Sequence, residues 1–310
     1  MRLKIAVPDL VSNSYFPAVA AVELGFCAEQ GYDASVELIF PVDRAYAAMR
    51  DGDIDFVAGS AHSALAAFPE WRGAKLLCAQ AQGMYWFLVM RADLNPVRGD
   101  LSVVKGRRIG AAPWVEMGLR SLLAAGGVDI DRDDVTIAPV PGAVGSTVNF
   151  GLSAAKALEG GLIDGFWANG MAAELAVQRG VGTVVLDARR GDGPAGAFDY
   201  TFASLAASDR LIANQPEAAA AAVRAVVLAQ AALRDDPDRA TAIGERLFPP
   251  SEAKLIATLI ERDLPYYSAS IDPASVAGMN AFCRSHGLLQ GEPAYEDIVA
   301  VQFSPLWEGR

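Results

Sequence analysis

The chain has 310 residues, 52% hydrophobic and 20% charged, with 26 basic against 37 acidic side chains and a formal net charge of −11. That length and composition fit one large or two smaller cohesive cores and exclude an intrinsically disordered chain. The acidic balance disfavours nucleic acid and anionic membranes as partners, since both call for a basic face, and fits a protein that meets small molecules.

Met1-Arg2 leads straight into an apolar strand pattern, Leu3-Lys4-Ile5-Ala6-Val7, with no h-region or cleavage site of a secretory leader. As written, the chain is expected in the cytoplasm; as a trimmed mature form, it is expected in the periplasm. A polar loop over 8–17 carries Ser12, Asn13 and Tyr15. A helix over 18–24, a turn closing at Gly31, a strand over 34–40, a helix over 45–50 capped by Asp43 and a strand after Gly52 follow. Ser60 and His62 come directly after that strand. This alternation predicts βαβ units, a parallel sheet covered on both faces, and ligands at the carboxyl ends of its strands.

Strands over 76–81 and 86–91 come next, with Tyr85 and Trp86 at the start of the second. A new series then opens at Ile109: Trp114 and Glu116 lead into a helix over 117–125, a strand over 135–139, a glycine-rich loop over 142–151 and a helix over 152–158. A strand over 163–168 contains Trp167 and ends at Asn169, and a helix over 171–178 and a strand over 183–186 complete the series. A strand over 200–205 opens on Tyr200. Beyond it the chain reads as helical, with Asn214 as a cap, Pro237 as a stop and Asp272 as a further cap. The longest apolar run, 218–232, is interrupted by Arg224 and Gln230 and is too short for a bilayer span.

Part of the chain is said twice. Gly52-Asp53-Ile54-Asp55-Phe56 returns as Gly161-Leu162-Ile163-Asp164-Gly165-Phe166, and Leu3-Lys4-Ile5-Ala6-Val7-Pro8 as Arg107-Arg108-Ile109-Gly110-Ala111-Ala112-Pro113. Two copies predict two similar lobes, whereas a solenoid needs three or more at shorter spacing. Crossovers placed near 88–95 and 187–203 give a first lobe of 1–90 with 200–310 and a second of 91–199.

Glu23-Leu24-Gly25-Phe26-Cys27-Ala28-Glu29-Gln30-Gly31-Tyr32-Asp33 resembles a landmark of the NMT1/THI5-like type II solute-binding proteins of nitrate, sulfonate, taurine and thiamine-precursor ABC importers. Gly52-Asp53-Ile54-Asp55-Phe56, Val104-Lys105-Gly106-Arg107-Arg108-Ile109-Gly110 and Ala157-Leu158-Glu159-Gly160-Gly161-Leu162-Ile163-Asp164 resemble three further landmarks in the same order. The resemblance implies an α/β chain with the two-lobed type II periplasmic-binding-protein fold, each lobe a mostly parallel sheet flanked by helices, with a helical C-terminal tail. It implies a ligand cleft between lobes that close by hinge motion, a small-molecule ligand, an ABC permease as partner, and a monomer or weak dimer. Enzymes share this fold, so a cytosolic lyase, decarboxylase or thiamine-pyrimidine-related enzyme, or a ligand sensor, is the alternative. The family's desulfinase carries its cysteine nucleophile in the loop after the first strand, where this chain has Ser12 and Ser14.

Cys27, Cys78 and Cys283 are odd in number, lack metal-ligand spacing and read as separate buried thiols, so neither metal nor cofactor is expected. Gly191-Asp192-Gly193-Pro194-Ala195-Gly196 spells the dinucleotide fingerprint, but a strand follows it instead of the required helix. Tyr15, Tyr85, Trp86, Trp114, Trp167 and Tyr200 crowd strand-end loops, which suits stacking of an aromatic or heteroaromatic ligand. Ser12, Asn13, Ser60, His62 and Asn169 supply polar groups there, and Glu116 supplies an acceptor for an amino or ring N–H. With Asp9, Asp43 and Asp199 also at strand ends and Arg44 the nearest basic residue, a small inorganic anion is disfavoured.

Overall fold

The computed structural model describes residues 2–143, 145 and 148–308. Positions 144, 146 and 147 of the glycine-rich loop lie outside the described residues. Ten strands follow in chain order: β1 (Arg2–Val7), β2 (Asp33–Leu38), β3 (Phe56–Ser60), β4 (Ala74–Ala81), β5 (Phe87–Arg91), β6 (Arg108–Ala111), β7 (Thr136–Ala138), β8 (Gly165–Ala168), β9 (Gly182–Asp187) and β10 (Ala203–Ser208). The chain divides into two compact units, Met1–Gly83 with Asp199–Arg310, and Met84–Phe198.

Unit 1 holds a five-stranded sheet ordered β2-β1-β3-β10-β4, and unit 2 one ordered β7-β6-β8-β5-β9. In unit 1, β1 pairs in parallel with β2 and β3, while β10 runs antiparallel between β3 and β4. In unit 2, β6 pairs in parallel with β7 and β8, while β5 runs antiparallel between β8 and β9. The two sheets therefore share one plan. In each, one inner strand runs antiparallel to its neighbours: β10, which follows the excursion through unit 2, and β5, the first strand of unit 2.

The repeated Ile-Asp pair has a physical reason. In unit 1 the backbone N–H of Lys4 donates to the Asp55 carboxylate at 2.8 Å while the Asp55 N–H donates to the Lys4 carbonyl at 3.1 Å. In unit 2 the N–H of Arg108 donates to the Asp164 carboxylate at 2.9 Å and the Asp164 N–H to the Arg108 carbonyl at 2.8 Å. Each aspartate thus starts the pairing of the first strand with the third, and the preceding isoleucines, Ile54 and Ile163, are buried. Gly52 and Gly161 close the helices before these strands at φ 89 and 68, the left-handed region that a β-carbon disfavours.

Several element boundaries differ from expectation. The first crossover lies at Gly83–Met84, earlier than 88–95, because β5 finds its partners in β8 and β9. The strand expected over 200–205 begins at Ala203, since Ala197–Tyr200 coils into a 3-10 turn. Asp43 lies in the first turn of Val42–Asp51, and Pro41, not Asp43, is at its cap. Asn214 ends a short helix, Asp209–Asn214, and Gln215 precedes the helix Pro216–Asp235. That helix, at 20 residues, is longer than expected and has the length and hydropathy of a membrane span, yet 72% of its most apolar window is buried. It packs on Phe16–Glu23 within unit 1. Its polar interruptions are used: Arg224 donates to Gln30 at 2.6 Å, and buried Gln230 donates to the carbonyls of Ala79 and Gln80 at 3.3 and 2.9 Å.

Candidate functional site

The parallel strands of each sheet deliver their following loops to one edge, and the predicted site residues lie along those two edges. In unit 1 the loop after β1 carries Ser12, Asn13 and Tyr15, all buried. The Asn13 amide donates to the Asp263 carboxylate and its carbonyl accepts from the Tyr267 hydroxyl, so Asn13 ties this loop to the C-terminal helices. Ser12 differs: its hydroxyl is buried with no hydrogen-bond partner among the described residues. The helix Phe16–Glu23 then starts with Gln80 accepting from the Ala18 N–H at 3.1 Å and donating to the Ser204 carbonyl at 3.0 Å, which sets the loop against β4 and β10.

After β3, Ser60 and Ser63 share a hydrogen bond of 2.6 Å. His62 is 0% exposed, its Nδ1 2.9 Å from the Thr201 hydroxyl and its ring edge-on to Phe282 at 5.5 Å. It is neither an exposed histidine nor a helix cap. Tyr200 stacks on Phe282, with centroids 4.8 Å apart at an interplanar angle of 15°, and burial pushes its hydroxyl pKa up. Burial also raises the neighbouring Asp199 carboxyl, against the opposing effect of a 3.4 Å hydrogen bond from Ser275.

In unit 2 the structure brings Tyr85, Trp86 and Trp167 into one aromatic chain, with ring centroids 4.7 Å apart for Tyr85–Trp86 and 6.2 Å for Trp86–Trp167. Trp167 is 0% exposed and its indole N–H donates to the Val115 carbonyl at 3.1 Å, so it supports Trp86 from the core instead of presenting a face. Trp114 is half-buried in the loop after β6 and has φ 71, a left-handed conformation that is rare for a bulky residue. Glu116 opens the helix Glu116–Ala125 and is also half-buried. Asn169 caps the helix Gly170–Gln178, accepting from the Ala172 N–H at 3.2 Å, and lies so close to Gly151 that a β-carbon there would meet its amide at 2.7 Å.

One cation was not expected at this edge. Arg189, 4% exposed, lies over the Tyr85 ring with its guanidinium carbon 5.3 Å from the centroid. Arg44, taken from the sequence as the nearest basic residue, is exposed on the helix Val42–Asp51. The signal for Arg189 was present in its position directly after an apolar strand, the same rule that singled out the aromatics, but the following glycines made the segment read as a connecting loop. Beside it, buried Asp187 accepts from Arg190 at 2.9 Å through one carboxylate oxygen, while Oδ1 has no partner among the described residues. Gly191-Asp192-Gly193-Pro194-Ala195-Gly196 leads into the turn Ala197–Tyr200 and β10, with no helix N-terminus to receive a phosphate. Among the described residues no three His, Cys, Asp or Glu side chains are grouped to hold a metal ion.

No protein-family model matches the chain, and no curated protein matches it in sequence. Solved structures match it over its whole length. A ligand-binding component of an ABC-type import system from Staphylococcus aureus, with zinc bound, superposes with a TM-score of 0.72 at 14% identity, covering 100% of this chain and 98% of that one. The alkanesulfonate-binding protein SsuA from Xanthomonas axonopodis pv. citri, bound to MOPS, gives 0.70 at 13% identity over 98% and 97%. A mutant of the desulfurization enzyme DSZB in complex with biphenyl-2-sulfinic acid gives 0.69 at 17% identity over 100% of both chains. Two five-stranded α/β sheets of one plan, matched end to end by these structures, give the chain the periplasmic-binding-protein fold.

Proposed function

We propose that the chain is a binding protein for a small aromatic or heteroaromatic solute, of the kind that delivers ligand to an ABC permease, and that it acts in the periplasm. The observation that carries this reading is the aromatic chain Tyr85–Trp86–Trp167 at the strand-end edge of unit 2, with Trp114 held in a left-handed conformation on the same edge. Strain at a bulky residue persists where surrounding structure enforces it, and such residues cluster at ligand sites. Trp86 and Trp114 offer the stacking surfaces, with Trp167 as support, and Glu116 accepts a ligand N–H. In unit 1 the unsatisfied Ser12 hydroxyl is a second group whose hydrogen bond a ligand atom would complete, since buried polar groups are nearly always paired. Tyr15, Ser60 and Tyr200 shape that edge, and Asn13 and His62 hold it in place. The solute-binding fold of the neighbours supports the reading.

Thermal-shift screening of aromatic carboxylates, sulfonates, pyrimidines and amines tests it, because a ligand at about 100 times its Kd adds about 2.7 kcal/mol of stability. Trp86→Ala and Trp114→Ala are expected to weaken the best ligand by about tenfold each, or about 1.4 kcal/mol. Nanomolar binding of nitrate or sulfate, or unchanged affinity in both variants, overturns the proposal.

A further inference from the structure

The helix Pro273–Ser285 of unit 1 has two working faces. One is spent on the fold: Phe282 meets the His62 and Tyr200 rings, and Ser275 donates to Asp199 at 3.4 Å. The other is a stripe at a spacing of four, Val276, Asn280 and Arg284, which looks across a cavity of about 290 Å³ at Glu292, Pro293 and Tyr295. The far wall is pinned, because the Tyr295 hydroxyl donates to the Ile271 carbonyl and the N–H groups of Gln290 and Gly291 donate to the Glu70 carboxylate at 2.9 Å each. The space is therefore built into the fold. Its volume lies at the lower end of small-molecule sites, roughly 300–1,000 Å³, and is about ten times the share of one water, about 30 Å³. Asn280 is 6% exposed, and its Oδ1 is a buried acceptor with no hydrogen-bond partner among the described residues. Such oxygens are nearly always paired, and only an N–H or O–H can pair with one. Exposed Arg284 and Glu292 bring opposite charges to the same cavity, and neither belongs to an ion pair among the described residues.

From this arrangement we infer that the cavity is a binding site for a small zwitterion, an α-amino acid with an apolar side chain. The ammonium donates to Asn280 Oδ1 and faces Glu292, the carboxylate is received by the Arg284 guanidinium, and the side chain lies on Val276 and Pro293. The site belongs to unit 1 and does not rest on the function proposed above, whose aromatic chain belongs to unit 2. Its three partners work as a filter. A carboxylic acid leaves Asn280 and Glu292 without a donor, an amine leaves Arg284 without an anion, and a fully methylated ammonium keeps the charge but has no N–H to give.

Titration calorimetry of the full chain with L-leucine, 4-methylpentanoate, 3-methylbutylamine and N,N,N-trimethyl-leucine, each taken to about 10 mM so that millimolar binding is visible, tests the filter. Leucine is expected to bind about tenfold or more tightly than any of the other three. Arg284→Gln is expected to weaken leucine and 4-methylpentanoate by about tenfold while leaving the amine unchanged, and Glu292→Gln to weaken leucine and the amine while leaving the acid unchanged. Asn280→Leu, which keeps the size of the side chain and removes the acceptor, is expected to abolish leucine binding. Circular dichroism checks that each variant is folded; if Asn280→Leu is not, leucine against its trimethyl derivative decides the role of the acceptor, and the two variants at exposed positions decide the rest. Absence of leucine binding, equal affinity for leucine and its trimethyl derivative, or leucine affinity unchanged in both Arg284→Gln and Glu292→Gln overturns the inference. Leucine binding that is lost in Trp86→Ala overturns it as well, since that signal comes from the unit 2 edge.

Discussion

Trp114 and Trp167 are both tryptophans on strand-end segments, yet their costs to the fold differ in sign. Left-handed backbone costs a non-glycine residue about 1–2 kcal/mol, so Trp114→Gly is expected to keep stability within about 1 kcal/mol of wild type, relief of strain offsetting the lost contacts of a half-buried indole. Trp167→Ala removes a fully buried ring and its hydrogen bond to Val115 and is expected to cost about 3–5 kcal/mol. Urea unfolding of the two variants checks the contrast, and a Trp114→Gly loss as large as that of Trp167→Ala would refute the account of strain. The cysteines make a second residue-scale case. Burial pushes the thiol pKa of Cys27 up to about 11 and that of Cys283 up to about 12, and that of Cys78 higher still. At neutral pH all three are thiols with little nucleophilicity, so a disulfide reagent is expected to label none in the native protein within minutes and all three after unfolding. Below pH 9 both folded and unfolded states keep these protons; as pH rises from 9 toward 11–12 the unfolded chain ionises and the folded one does not, so stability falls across that window. Fast native labelling of Cys27, or loss of ligand binding in a folded Cys27→Ser protein, would point to thiolate chemistry instead.

At the scale of elements, the repeated Ile-Asp turn makes a matched pair of tests. Asp55→Ala and Asp164→Ala each strip a backbone N–H of its carboxylate partner at the start of a sheet and are expected to destabilise their units by about 1–2 kcal/mol. Hydrogen exchange should show the loss in β1 and β3 for the first and in β6 and β8 for the second; loss spread evenly over both sheets would contradict the local reading. This turn also shows why much of the fold was legible: glycine, isoleucine and aspartate act through neighbours in the sequence and through the strand order that βα alternation predicts. What was not legible depends on distant partners. Nothing near Tyr200 or Ala203 announces that β10 slots antiparallel between β3 and β4, since its partners lie more than a hundred residues earlier. His62 is placed directly after β3 by the sequence, but its contacts, Thr201 and Phe282, come from the far side of the chain and have no local signal. Trp86 could be placed from strand-end position alone; the Arg189–Tyr85 contact needed the antiparallel pairing of β5 with β9.

For the whole molecule, the contiguity of unit 2 matters. Met84 and Phe198, its first and last residues, are joined by a backbone hydrogen bond of 2.9 Å, so the chain leaves unit 1 and returns to it at one point. Closely spaced ends are the mark of a segment that can be removed. A chain with Gly83 linked to Asp199 through a short glycine-serine bridge is therefore expected to fold with the unit 1 sheet intact, and residues 84–198 alone with the unit 2 sheet intact. Far-ultraviolet circular dichroism and cooperative thermal melting decide, and an unfolded unit 2 fragment would show that its sheet depends on the rest of the chain.

The position of β10 between β3 and β4 has a further consequence, in time instead of space. A ribosome that has finished Ala81 must add about 120 residues before it reaches Ala203, which at about 5–20 residues per second takes about 6–25 s. For most of that interval β3 and β4 are outside the ribosome without the strand that joins them, each with a bare hydrogen-bonding edge of the kind that pairs with other chains. In unit 2 the wait is shorter: β5, its own joining strand, is made first and meets β8 about 75 residues later. The nascent chain thus completes its second sheet before its first, and the first waits with open edges that only the late arrival of residues 203–208 can close.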